Sequence, residues 1–219
     1  MLRPLIGVLV LVAVARADTD LTGLVTGAPG CDATRAHCFG IQLHVAVGEA
    51  GPIADPAWVA RQLAFANKHF EALDVGWQIV GVDALPASAE RVEDRKERDG
   101  FGKQVKGTVV HVFVTGQLDD VDEEGKTAYG VTWRKKGDAK ETKYVILSTQ
   151  AWERTLAHEL GHVFGLPHST YPISIMNKTE RSDPPPDQRR FADEEIAAMK
   201  GALVRIVREK RLVTITARS

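Results

Sequence analysis

What this sequence lacks narrows its reading before any motif is considered. It has no excess of charge of one sign: 28 Lys and Arg stand against 29 Asp and Glu, a formal net charge of -1. A nucleic-acid-binding chain would normally be strongly basic, so no nucleic-acid partner is expected. Beyond its first residues it has no apolar run approaching the ~20 residues of a spanning helix, so no stable membrane insertion of the mature chain is expected. It has no internal repeat and no linker that would divide it. Cysteine is scarce, with two residues in 219. What is present is ordinary globular material: 44% hydrophobic and 26% charged residues, in a chain long enough for one domain with a real core.

The beginning of the chain has a separate character. Arg3 precedes an apolar run from Leu5 to Ala15, and Ala15-Arg16-Ala17 supplies small residues at the -3 and -1 positions of a cleavage site. This is the pattern of a secretory signal peptide over residues 1–17, with the mature protein starting near Asp18 and secreted to a periplasmic or extracellular destination. Cys31 and Cys38 lie seven apart just beyond it. In an exported chain two close cysteines are expected to form one disulfide, here pinning an N-terminal segment over residues 18–38. The other reading is a single thiolate that plugs a metal site.

Residues 39–219 read as one α/β domain. Gly40 to Val47 alternates as a half-buried strand; Asp55 and Pro56 suit the N-cap and first position of a helix carrying Val59, Leu63, Phe70 and Leu73 on one face. Gly76 to Val82 is a second strand. Residues 88–106 mix charges with glycines and read as a solvated loop, with room for a turn of helix. Thr108 to Thr115, apolar and β-branched, reads as a central strand. Tyr129 to Trp133 and Lys143 to Ser148 supply two more. A helix is expected from about Gln150 or Ala151 to about Gly165, and a last one from about Asp193, with Ile196, Met199, Leu203 and Ile206 on one side. The tail after Arg211 is read as a short strand or loose.

The chemistry is concentrated in HELGHVFGLPH, from His158 to His168. On a helix, His158 and His162 sit one turn apart on the same face, so two imidazoles can share one metal ion. Glu159 projects beside that ion, where it can hold and deprotonate a bound water. Gly165 supplies the positive φ that ends a helix, and Pro167 forbids its continuation, so His168 can swing back as third ligand. Three ligands with an open position describe catalytic zinc; a structural site would be closed by four. The chance expectation for this eleven-residue pattern in such a chain is on the order of 10⁻⁵ to 10⁻⁴. His37, His44, His69 and His111 have no ligand-like spacing and are read as structural or exposed.

Met176 follows eight residues after His168, in Ser174-Ile175-Met176-Asn177. Together with the histidine motif it resembles the Met-turn of the metzincin zinc peptidases. GHVFGLPHST followed by SIM is most similar to the matrixin, or matrix-metalloprotease-like, group. The resemblance is specific over residues 154–177 and topological over about 40–150. It implies a mixed, mostly parallel five-stranded sheet with an antiparallel edge strand, an active-site helix, a Met-turn and a C-terminal helix. It also implies that the Tyr129 to Trp133 edge binds a protein or peptide substrate as an added strand. The sequence departs from the group in carrying no PRCGxPD-type cysteine switch, no visible second zinc cluster and no tyrosine two residues after Met176.

One acidic stretch stays open under this resemblance. Asp119-Asp120-Val121-Asp122-Glu123-Glu124-Gly125 begins like a calcium loop, but Val131 stands where an EF-hand requires glutamate. A matrixin-like Ca2+ loop and a solvated acidic turn both fit it. The expectation drawn from these residues is a monomeric, secreted zinc endopeptidase with one catalytic Zn2+, Glu159 as general base and His158, His162 and His168 as ligands. The alternative is a zinc-containing binding or inhibitor protein on the same scaffold, without proteolytic activity.

Overall fold

The computed structural model describes residues 20–218; the signal peptide expected over 1–17 lies outside the described residues. After a short helix α1 (Thr22–Thr26), the chain alternates strands and helices: β1 (His37–Gly48), α2 (Pro56–Phe70), β2 (Val75–Leu85), α3 (Arg95–Phe101), β3 (Val110–Thr115), β4 (Gly130–Arg134), β5 (Lys143–Ser148), α4 (Thr155–Val163) and α5 (Asp193–Arg208). The main sheet has the order β2-β1-β3-β5-β4. Its pairs are parallel except the last, where β4 runs antiparallel to β5 and forms the edge; a two-residue strand, Gly51–Pro52, also pairs antiparallel with the end of β1. This is the mixed, mostly parallel sheet expected from the sequence, with Gly51–Pro52 as a short sixth strand beyond the five expected. Among the described residues no helix is long and apolar enough to cross a membrane.

The two faces of the sheet are covered differently. On one, Ile41, Leu43 and Val45 of β1 and Val110, Val112 and Val114 of β3 pack against α2, α4 and α5. The period of two in these strands, and the spacings of four and seven residues between Val59, Leu63 and Phe70 in α2, explain that face from sequence alone. Phe70 meets Trp77, Phe164 and Phe191 edge-on, each with ring centroids 5.3 Å apart. Each such burial contributes roughly 1.5–3 kcal/mol, and this cluster fixes the C-terminal end of α4 against β2.

The opposite face corrects an expectation. Residues 88–106 are not a solvated loop: Ala89, Val92, Phe101 and Val105 are buried against Ala46, Phe113, Tyr144 and Ile146. Arg91–Val92 pairs in parallel with Gln117–Leu118. Asp94 caps α3 by accepting from Glu97 N at 2.8 Å. The apolar anchors are sparse among the charges, so the burial has no periodic signature.

Both ends of the described segment are tied down. Cys31 and Cys38 form a disulfide with Cα atoms 5.9 Å apart. The C-terminal tail is docked rather than loose: Thr214 bridges Phe39, Ile215 N donates to Cys38 O at 2.8 Å, and Gln78 accepts from Arg218 N.

Candidate metal centre

α4 begins at Thr155, later than expected. Gln62 of α2 is the cause: its amide donates to the carbonyls of Ala151 and Trp152 and accepts from Leu156 N. The carbonyls that would open an earlier helical turn are therefore engaged elsewhere.

At its other end α4 stops as the sequence requires. Gly165 has φ +94, Gly165 N donates to His162 O, and Leu166 N donates to Gly161 O, both at 3.0 Å. These two bonds are a Schellman motif, which satisfies the last carbonyls of the helix and reverses the chain. The reversal brings His168 back over the helix.

His158, His162 and His168 converge. The Nε2 atoms of His162 and His158 are 3.1 Å apart, and those of His162 and His168 are 3.3 Å apart. His158 Nδ1 lies 2.7 Å from Ile175 O, and His162 Nδ1 lies 2.6 Å from Leu166 O. A carbonyl can only accept, so each of these Nδ1 atoms carries the proton and donates it. The corresponding Nε2 atoms are then lone-pair donors facing one another, which would repel without a cation between them. Burial lowers the pKa of all three imidazoles, favouring the neutral form that a metal needs. Three neutral nitrogens on one side with the cleft on the other fit a zinc ion with an open position.

Glu159 is 4% exposed and its Oε1 lies 4.0 Å from His158 Nε2. Thr132 Oγ1, on the edge strand, stands 2.8 Å from both Glu159 O and Glu159 Oε2. Burial raises the carboxyl pKa to about 7, against the opposing pull of His162 and Thr132. Gly130 allows this approach, since a Cβ there would lie 2.8 Å from Thr155 Cγ2 and 3.2 Å from Glu159 Cγ.

Met176 is fully buried beneath the histidines. A Cβ on Gly161 would stand 2.7 Å from Met176 Sδ, so the glycine inside the motif is what lets the methionine reach the helix. The turn is held from behind by Ser174, whose Oγ donates to the Glu195 carboxylate and accepts from Met176 N at 2.8 Å. Glu195 also accepts from Ala192 N at the start of α5. Thr132, Gly130, Gly161, Ser174 and Glu195 were not singled out in the sequence. Their partners lie up to 29 residues away, as Gly130 from Glu159, beyond the reach of a local pattern.

The acidic loop does not support the calcium reading. Asp119 pairs with Arg91 at 3.0 Å, Asp122 pairs with Arg95, Glu123 pairs with Lys126, and Asp120 accepts from the amides of Asp122 and Glu123. These carboxylates are engaged by arginines, a lysine and loop amides. Among the described residues, His158, His162 and His168 are the group of metal-capable side chains whose ligand atoms converge.

The histidines open onto a cleft of about 810 Å³ that runs between β4 and the loop after Met176. The family model of the matrixin peptidases matches residues 87–200, which include the edge strand, the three histidines and Met176. No curated protein matches the chain by sequence. Among solved structures, metalloproteinase-II from Bacteroides fragilis is similar in fold, with a TM-score of 0.54 and 13% identity over 78% of this chain. This chain spans 54% of that protein's length. Archaemetzincin from Methanopyrus kandleri superposes with a TM-score of 0.52 and 16% identity, covering 78% of this chain and 98% of its own.

Proposed function

The chain belongs to the matrixin family of metallopeptidases, and from that premise we propose that it is an exported zinc endopeptidase. The observation that carries this reading is the convergence of three Nε2 lone pairs beside one buried carboxyl group. His158, His162 and His168 would hold zinc, which when bound supplies Lewis acidity toward a peptide carbonyl and an attacking water. Glu159 takes a proton from that water, and the hydroxyl joins the carbonyl carbon. As the C–N bond breaks, Glu159 passes the proton to the departing amine. Thr132 holds the carboxyl group in place for both transfers. The outer edge of β4 receives the substrate backbone as an added antiparallel strand, one residue stretch away from Glu159.

Export is supported by the pattern of residues 1–17 and by the Cys31–Cys38 disulfide, which suits an oxidising compartment. The decisive experiment compares the wild type with Glu159→Gln. The variant should keep one zinc per chain while hydrolysis of a peptide library falls by at least a thousandfold, on the order expected for loss of a general base and its electrostatic role. A variant that still cleaves would remove Glu159 from the reaction. A wild type that binds zinc but cleaves nothing would make the scaffold a binding protein.

A further inference from the structure

The cleft differs in charge at its two ends. Toward the acidic loop it is lined by Asp120 and Asp122, engaged by loop amides and by Arg95, with Arg98 beside them donating to Asp119 O. Toward the loop after Met176 it is lined by Arg154, Arg181 and Arg189. Arg154 directly precedes α4, one turn back from His158, and its guanidinium lies 5.4 Å over the Trp152 ring. Arg181 donates to the carbonyls of Pro172, Ser174, Asn177 and Thr179. Arg189 is 8% exposed and donates to the carbonyls of Pro184 and Arg181.

These carbonyl bonds shape the loop but bring no negative charge. Among the described residues none of the three arginines forms an ion pair. Nearby acids are engaged elsewhere: Glu153 with Arg61, Asp193 with Arg190 and Glu195 with Ser174. Glu180, at the rim, is exposed and unpaired. Burial lowers the pKa of Arg154 and Arg181, and the positive field of Arg189 lowers both further. Three cations thus line one end of the cleft, and none of them is ion-paired, even with Glu180 at the rim. Arg181 and Arg189 have a structural role that explains their presence. Arg154 donates no side-chain hydrogen bond among the described residues and has the Trp152 ring as its contact, so its N–H donors are free to take a ligand.

We propose that this end of the cleft is a subsite for a carboxylate side chain, so that the enzyme cleaves acidic polypeptides before Asp or Glu, with Arg154 as the specificity-determining contact. The inference rests on the peptidase reading above. The loop after Met176 and the start of α4 line the same cleft as His158 and Glu159, so a side chain flanking the scissile bond can reach this wall. A guanidinium recognises a carboxylate through charge-assisted, often bidentate, bonds.

The test uses internal peptides blocked at both ends that carry Glu, Gln, Leu or Lys after the scissile bond. With the wild type, kcat/KM for the Glu peptide should exceed that for the Gln peptide on the order of tenfold. Arg154→Gln should bring that ratio close to one, Arg154→Lys should keep most of it, and Arg154→Glu should turn it toward Lys. Each value is a ratio within one protein, so lower total activity leaves it readable. The binding constants of the same peptides to the Glu159→Gln protein, read by fluorescence anisotropy, should follow the same order. A wild type that favours Leu, or a ratio unchanged in Arg154→Gln, overturns the proposal. So does cleavage that requires a free C-terminal carboxylate. If no peptide is cleaved by the wild type, the peptidase reading fails while the binding ratio still decides this one.

Discussion

Two groups of histidines lie on opposite faces of the sheet, and they put the same side chain to opposite use. In the first, His158 and His162 spend their Nδ1 protons on the carbonyls of Ile175 and Leu166, and their Nε2 atoms face each other and His168 as bare acceptors. In the second, His44 Nε2 meets His111 Nδ1 directly at 2.8 Å, and His111 Nε2 closes on the backbone of Lys106. There one proton sits between the rings, so donor faces acceptor across the pair, while His44 Nδ1 is buried without a hydrogen bond, 3.3 Å from the Asp83 carboxylate. His44 also stacks on Phe113 at 4.4 Å between centroids. The difference teaches that proximity of imidazoles does not make a metal site. What the far nitrogen is bonded to decides whether the near one is available.

The comparison is broken most sharply by removing one member of each group. His162→Ala should take the zinc content from one ion per chain to none and abolish activity. His111→Ala should leave the zinc content unchanged while it destabilises the fold by leaving His44 Nε2 buried without a partner, a loss of about 1–3 kcal/mol. Metal analysis of the two purified proteins, alongside thermal unfolding, checks both outcomes. Zinc lost from the His111 variant would mean that the two faces are not independent.

A pH titration sharpens the same contrast. Burial, reinforced by His111 and opposed by Asp83, lowers the His44 pKa from 6.5 to about 4. Between those values the unfolded chain holds a proton that the folded chain refuses. The stabilisation is therefore complete above pH 6.5, is lost as pH falls below it, and levels off near pH 4. The full drop corresponds to roughly 3 kcal/mol. His69, also lowered to about 4 by burial, adds to the same slope. His44→Phe keeps the ring on Phe113 and removes the proton acceptor. Its melting temperature should fall less steeply between pH 6.5 and 4 than that of the wild type; an identical slope would remove His44 as a source.

How much of this was legible in the sequence follows from how local each feature is. The three histidines and Gly165 fall within eleven residues, and their relation is set by helix rise and one glycine turn, so spacing alone placed them, whereas Met176 was placed by the resemblance to the metzincin Met-turn. The five strands were legible because each is a short β-branched or alternating run. The segment over 88–106 was not, because Val92, Phe101 and Val105 are isolated among charges and owe their burial to the far side of the sheet. The start of α4 was misplaced because Gln62, far away on α2, decides it. The His44–His111 pair was invisible as a pair for the same reason: β1 and β3 are adjacent only in the folded sheet.

The smallest expected effect is the most discriminating. A Cβ at Gly165 would meet nothing within 4 Å, so Gly165→Ala introduces no clash and tests backbone conformation alone. At φ +94 an L-residue is strained by about 1–2 kcal/mol, and relief requires the turn to relax. Relaxation shifts Leu166, whose carbonyl orients His162, and moves His168 off the other two rings. Zinc affinity should therefore fall severalfold, measured by competition with a chelator, while the pH slope attributed to His44 stays as in the wild type. Gly165→Asn, which tolerates left-handed backbone better, should lose less of both stability and affinity. Equal losses in the two variants would show that the turn does not transmit its geometry to the metal ligands, and that His168 is held by its own packing.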